Sequence, residues 1–179
     1  MSSKTILDAK DVRRVLRRMA NEIVEANHGT DRLALVGIRT RGAPLARRIV
    51  EAILEVEPGA DVPVGVLDIA LYRDDLEHRE DHPLPMESSI DFDIDDRHIV
   101  LVDDVLYTGR SVRAALNALC DLGRPRVVRL AVLVDRGRRE VPIQPDFTGR
   151  TLPTGSSERV MVHLKELDDK DEVLLIREE

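Results

Sequence analysis

Apolar runs alternate along this chain with stretches of helical spacing. Between 8 and 27, Val12, Val15, Leu16, Met19, Ile23 and Ala26 recur three and four residues apart, which predicts an amphipathic helix. Asn27-His28-Gly29 then supplies helix-stop chemistry. Residues 33–38 are almost continuously apolar, as a strand covered on both faces must be. A helix over 43–55 and a strand over 64–71 follow. Ile99 opens another apolar run, and Val112, Ala115, Leu116, Leu119 and Leu122 mark a helix that Gly123 and Pro125 close. Residues 127–134 read as a strand, and 160–164 and 173–176 as two more, joined by an acidic turn. Two stretches lack any period. Residues 72–97 are rich in charge, Pro and Ser, and 141–155 in Pro, Gly and Thr. A long structureless stretch inside a domain is commonly a lid or a binding loop.

Strands that alternate with helices predict an α/β fold: a central parallel sheet flanked by helices. Ligands in such folds sit at the carboxyl ends of the strands. Residues 39–42, 103–111 and 135–137 would then share one edge.

Composition changes this picture little. A chain of 179 residues is expected to form one domain, 1–179, which buries roughly 70% of its unfolded surface. With no Trp, two Tyr and two Phe, the core has to be aliphatic. A net charge of −7 argues against nonspecific coating of nucleic acid, though not against a local basic face. Arg13, Arg14, Arg17 and Arg18 cluster on the polar side of the first helix, and read either as solvated surface or as a dock for phosphates. The lone cysteine, Cys120, falls on the apolar side of its helix. It excludes a disulfide framework and fits a reducing compartment. The N-terminus has no apolar leader and no run approaches the ~20 residues of a membrane span, so a cytoplasmic location is expected.

The chemistry concentrates in Ile99-Val-Leu-Val-Asp-Asp-Val-Leu-Tyr-Thr-Gly-Arg-Ser111. Asp103 and Asp104 fall where a buried strand leaves the core. Tyr107, Thr108, Gly109, Arg110 and Ser111 then turn into a helix N-terminus, whose N–H groups and dipole favour an anion. Carboxylates beside an anion site suit a ligand with hydroxyls at one end and phosphate at the other. Arg39-Thr40-Arg41-Gly42 repeats the strand–loop–helix arrangement with two arginines, suited to a polyanion. GxxxxGK[ST], GxGxxG, HExxH and GxSxG are all absent, which removes support for common nucleotide-hydrolysing, dinucleotide and hydrolase schemes. The five fixed positions of the Asp-Asp…Thr-Gly-x-Ser pattern would rarely coincide by chance in a chain of this length.

That stretch resembles the phosphoribosyl pyrophosphate (PRPP) motif of the type I phosphoribosyltransferases. The resemblance implies that Asp103 and Asp104 hold the ribose hydroxyls, that Val105, Leu106 and 107–111 complete the 5-phosphate loop, and that Thr40, Arg41 and Gly42 hold pyrophosphate. It further implies a small hood over the sheet and a flexible lid at 72–97, with Arg73 as a lid contact that helps exclude water. Mg²⁺ would be held mainly by PRPP. Blocks 36–42, 68–76, 102–110 and 133–137 together resemble the PyrR family, bifunctional regulators of the pyrimidine operon that also act as uracil phosphoribosyltransferases. The implied partners are PRPP, uracil, UMP or UTP and pyrimidine leader mRNA, in a homodimer or higher homo-oligomer. Residues 138–155 are expected to form a hood or loop region, and Arg136 and Leu152 to lie near uracil.

Departures from the family pattern lie on the RNA side. Arg17 and Asn21 replace the usual Thr and His, Arg138-Arg139 the usual His-Arg, Gln144 an Arg, and Arg150 a Lys. Arg17, Arg18, Arg138, Arg139 and Arg150 keep positive charge, but charge alone does not read an RNA loop. Three readings stand: a uracil phosphoribosyltransferase that also attenuates transcription, a nucleotide-sensing RNA regulator with little catalysis, and a transferase for another base such as adenine or orotate.

Overall fold

Five parallel strands form the central sheet of the computed structural model, which describes residues 2–73 and 87–177. They are β2 (Leu33–Ile38), β3 (Val64–Leu67), β4 (His98–Leu106), β5 (Val127–Asp135) and β6 (Phe147–Thr151), in the order β3-β2-β4-β5-β6. β4 is central, and its registers with β2 and β5 align their carboxyl ends. Helices α1 (Ala9–Asn27) and α2 (Gly42–Val56) share one hydrophobic cluster with the sheet, and α3 (Arg110–Leu122) packs in a second, distinct cluster. Both clusters are overwhelmingly aliphatic, as the shortage of aromatic residues requires.

Local chemistry sets the helix limits. Asp8 accepts a hydrogen bond from the Asp11 N–H (2.8 Å), Asp11 accepts one from the Asp8 N–H, and His28 closes α1 in the left-handed conformation. Val12, Leu16, Met19 and Ile23 are buried as the periodicity predicts.

A second sheet stands as a hood: β1 (Ser2–Leu7), β8 (Glu172–Arg177) and β7 (Glu158–His163), antiparallel in that order. A one-turn helix, α4 (Lys165–Asp168), lies between β7 and β8.

Several expectations are corrected. Within 138–155, expected as hood or loop, 147–151 instead form β6, an edge strand of the main sheet whose single buried side chain, Phe147, leaves no apolar pattern to detect. β1 is exposed along most of its length, so it too escapes periodicity. β3 stops at Leu67 rather than 71, because the Asp68 carboxylate accepts from the Ala70 N–H (2.8 Å) and turns the chain into a single 3-10 turn, Ala70–Tyr72. Cys120 is exposed, on the opposite side of α3 from the core. Among the described residues no helix is long and apolar enough to cross a membrane.

Candidate active site

One cavity of about 680 Å³ opens at the carboxyl edge of β4. Thr40, Arg41, Arg73, Asp103, Asp104 and residues 105–111 all line it. Gly42 does not line it but sets its shape. A side chain at Gly42 would place Cβ 2.2 Å from the Val102 carbonyl, and one at Gly37 would meet the Gly42 carbonyl at 2.4 Å. Glycine at both positions lets the 39–42 loop fold back against β4. The Arg39–Thr40 peptide is cis.

β4 runs on through both carboxylates to Leu106, so Asp103 and Asp104 are held by a strand rather than a loop. Asp103 accepts from the Asp104 N–H (2.9 Å), and Asp104 from the Val105 N–H (2.7 Å). Each carboxylate retains some solvent access in the cavity but is otherwise walled in by protein. Burial pushes both above the ordinary carboxylate range, and the Asp104 charge adds to this at Asp103. The charges of Arg73 on Asp103 and Arg41 on Asp104 pull the other way. The pair is thus poised for partners that neutralise it, such as ribose hydroxyls, a cation, or positive charge growing on a sugar.

The loop after β4 turns through Gly109, left-handed at φ 89°, into α3. Tyr107 is 40% exposed, and the Arg136 guanidinium stacks on its ring at 4.0 Å. Arg41 reaches up to the hood, donating through Nε to the Val162 carbonyl (2.7 Å) and through Nη2 to both Asp168 oxygens (3.0 and 3.1 Å). The pyrophosphate-type loop is thereby tied to β7 and α4.

Other expected residues lie elsewhere. Arg136 does not line the cavity. It sits behind Tyr107, 8% exposed, donating to Thr154 Oγ1 (2.9 Å) and the Glu158 carbonyl (2.7 Å). Leu152 packs against the larger core, and its N–H bonds the Asp135 carbonyl. Arg159 and Val160 of β7 and Glu140 line the cavity instead, and no motif or periodicity singles them out. The centre of the expected lid, 74–86, lies outside the described residues. Its flanks are described: Arg73 lines the cavity, and Ser88 Oγ accepts from the Asp68 N–H (2.9 Å) while Ser89 pairs with Val66.

The five arginines expected to meet RNA divide in two. Arg17 is well exposed, 3.5 Å from Glu55, and Arg150 is exposed on β6. Arg18 is bound to Glu22 and to the Thr148 and Gly149 carbonyls. Arg138 donates to the Thr154 carbonyl (2.8 Å), and Arg139 is turned inward against Asp135.

The family described as "Phosphoribosyl transferase domain" matches residues 2–165. A "Bifunctional protein PyrR" of Thermus thermophilus is 59% identical over 170 residues, covering 95% of this chain and 93% of that one. A protein of the same name from Roseiflexus is 56% identical over 178 residues, covering 99% and 97%. This chain belongs to the PyrR family. It is therefore a phosphoribosyltransferase, in the fold already described. The hypoxanthine phosphoribosyltransferase structure of Trypanosoma cruzi superposes with a TM-score of 0.74 at 14% identity, over 98% of this chain and 97% of that one, a likeness of fold alone.

Proposed function

We infer that the protein transfers a phosphoribosyl group from PRPP to uracil, giving UMP and pyrophosphate. One observation carries this reading: two consecutive carboxylates, an anion-ready helix start and an arginine-bearing loop share a single cavity. The ribose hydroxyls donate to Asp103 and Asp104, the 5-phosphate rests on 107–111, and pyrophosphate on 40–42. Uracil N1 forms the new bond to the anomeric carbon as the carbon–oxygen bond to pyrophosphate breaks, and the N1 proton leaves to solvent. Positive charge that builds on the ribosyl group as pyrophosphate leaves is met by the two carboxylates. The base faces the hood, where Arg159 and Val160 line the cavity. Arg73 stands at the near flank of the lid segment, where it helps to shield the activated sugar from water.

Mg²⁺ fits this donor set as a substrate-borne ion. No cluster of three metal-type side chains occurs among the described residues, while two carboxylates stand where a phosphate-chelated cation would meet them. Bound there, the cation neutralises the departing pyrophosphate.

A base panel tests the substrate. With PRPP and Mg²⁺, uracil is converted to its nucleotide, while adenine, hypoxanthine and orotate are not. Conversion of another base in preference to uracil overturns this assignment.

The name shared by the relatives, with exposed Arg17 and Arg150, supports a second role: binding of pyrimidine leader mRNA when UMP or UTP fills the site. A gel shift with the organism's own pyrimidine leader, with and without UMP, tests it; no shift at low salt ends it. A homo-oligomeric state is part of the same proposal, and light scattering in solution reads it.

A further inference from the structure

The geometry points to Arg139 as a positioning residue for the 5-phosphate loop, acting through the carbonyl of Tyr107. This rests on the phosphoribosyl-transfer reading of the cavity above. The residue has its donors spread over three segments of the carboxyl edge. Nη2 donates to Asp135 Oδ2 (2.7 Å) at the end of β5, Nη1 to the Tyr107 carbonyl (3.1 Å) after β4, and Nε to the Ile143 carbonyl (2.8 Å). Both members of the Arg139–Asp135 pair are largely buried, with side chains 14% and 15% exposed. A guanidinium held this way keeps a fixed fork geometry that an ammonium cannot copy.

The residues after it continue the same contact. The N–H groups of Glu140 (2.9 Å) and Val141 (3.2 Å) both donate to the Thr108 carbonyl, and Arg110 Nε donates to Glu140 Oε2 (2.7 Å). A Cβ on Gly109 would come within 2.7 Å of Val141 Cγ2. Residues 139–143 therefore lie as a strap along the back of the loop. An anion site built from main-chain N–H groups works only if neighbouring carbonyl dipoles are turned away from the anion. Here the Tyr107 and Thr108 carbonyls are both occupied by the strap. Arg139 anchors that strap to β5, one strand over, with Asp135 as its counter-charge.

The inward turn also separates Arg139 from its neighbours in sequence. Its charge is neutralised by Asp135 and its donors are engaged within the protein, so a phosphate-backbone role for this arginine would require those contacts to break.

The test is steady-state kinetics and ribose 5-phosphate calorimetry on the full chain, comparing wild type with Arg139→Gln and Arg139→Lys. Arg139→Gln is expected to raise the KM for PRPP and weaken ribose 5-phosphate binding by about tenfold or more, the worth of a charge-assisted hydrogen bond, while kcat at saturating PRPP falls less than threefold. Arg139→Lys, which keeps the charge against Asp135 but not the fork, recovers part of the stability but not the PRPP KM. Asp135→Asn combined with Arg139→Gln costs no more than Arg139→Gln alone. If Arg139→Gln lowers the melting temperature but leaves the PRPP KM and ribose 5-phosphate affinity within twofold, the residue is merely structural and the inference fails. If it weakens leader RNA alone, the inference also fails. If the wild-type protein neither binds ribose 5-phosphate nor consumes PRPP, the reading of the cavity itself fails and takes this inference with it.

Discussion

The guanidinium carbon of Arg136 lies over the ring of Tyr107, 4.0 Å from its centroid, although the two residues follow the ends of different strands. The stack closes one side of the 107–111 loop and joins it to the loop after β6 through Thr154 and to the hood through Glu158. Burial lowers the pKa of this guanidinium below its ordinary value, so its hydrogen bonds and the ring face are what compensate for its desolvation. Arg136→Gln should cost about 1–3 kcal/mol in urea denaturation, the range for a buried hydrogen bond to a charged group. Tyr107→Phe should be nearly silent, because the ring supplies the contact. Equal losses in both variants would assign the stabilisation to the tyrosine hydroxyl.

Asp103 and Asp104 are predicted to weaken the empty protein. Both have native pKa values raised by burial. Below about pH 4 native and unfolded chains are both protonated there and nothing is lost. As pH rises through the raised native values, the native state must release protons that the unfolded chain has already lost, so stability falls. Asp104→Asn should therefore raise the melting temperature at pH 7, by a margin that shrinks towards pH 4. The same variant should lose about 100-fold or more in kcat. A melting temperature lowered at pH 7 contradicts the electrostatic account.

Gly42→Ala tests the close approach of the pyrophosphate-type loop to β4. With Cβ 2.2 Å from a main-chain oxygen, backbone has to move. The expected cost is about 1–3 kcal/mol of stability, with pyrophosphate inhibition weakened at least in proportion. Unchanged inhibition by pyrophosphate would place that anion elsewhere.

Asp168→Asn loosens the hood from Arg41. The Leu164 N–H and the Arg41 guanidinium hold Asp168 below the usual carboxylate range, so it is ionised throughout the neutral region. Its loss should raise the PRPP KM about fivefold, equivalent to an ion pair worth about 1 kcal/mol. The effect should persist from pH 6 to 8, and a pH-dependent effect in that window would point to a different partner for Arg41.

For leader RNA, Arg17→Ala and Arg150→Ala should each reduce the salt slope of binding by about one, because each removes a single phosphate contact. Arg18→Ala should chiefly lower stability, since its guanidinium ties α1 to the β6 carbonyls. A slope changed only by Arg18→Ala would reverse the assignment.

The central sheet was legible because β2 and long stretches of β4 and β5 are apolar runs and α1 to α3 carry clear periodicity. Family membership and phosphoribosyl transfer were legible because Asp103 to Ser111 is local in sequence, so that one strand and one turn hold most of the chemistry. What stayed hidden was non-local. β1 pairs with β8 from the opposite end of the chain, β6 buries a single side chain, and Arg159 reaches the cavity only because the hood folds over it. The arginines after β5 look alike as sequence. Only tertiary contacts separate Arg139, turned in against Asp135, from exposed Arg150.

The central claim is that one cavity holds a ribose on Asp103 and Asp104 with its phosphate on residues 107–111. A crystal structure with UMP reads it most directly. The expected density places the ribose hydroxyls within hydrogen-bond reach of the two carboxylates, the phosphate against Thr108 to Ser111, and uracil towards Arg159 and Val160. UMP bound elsewhere, such as in the groove lined by Leu16, Arg17 and Arg48 between α1, α2 and α4, with this cavity empty, would contradict it.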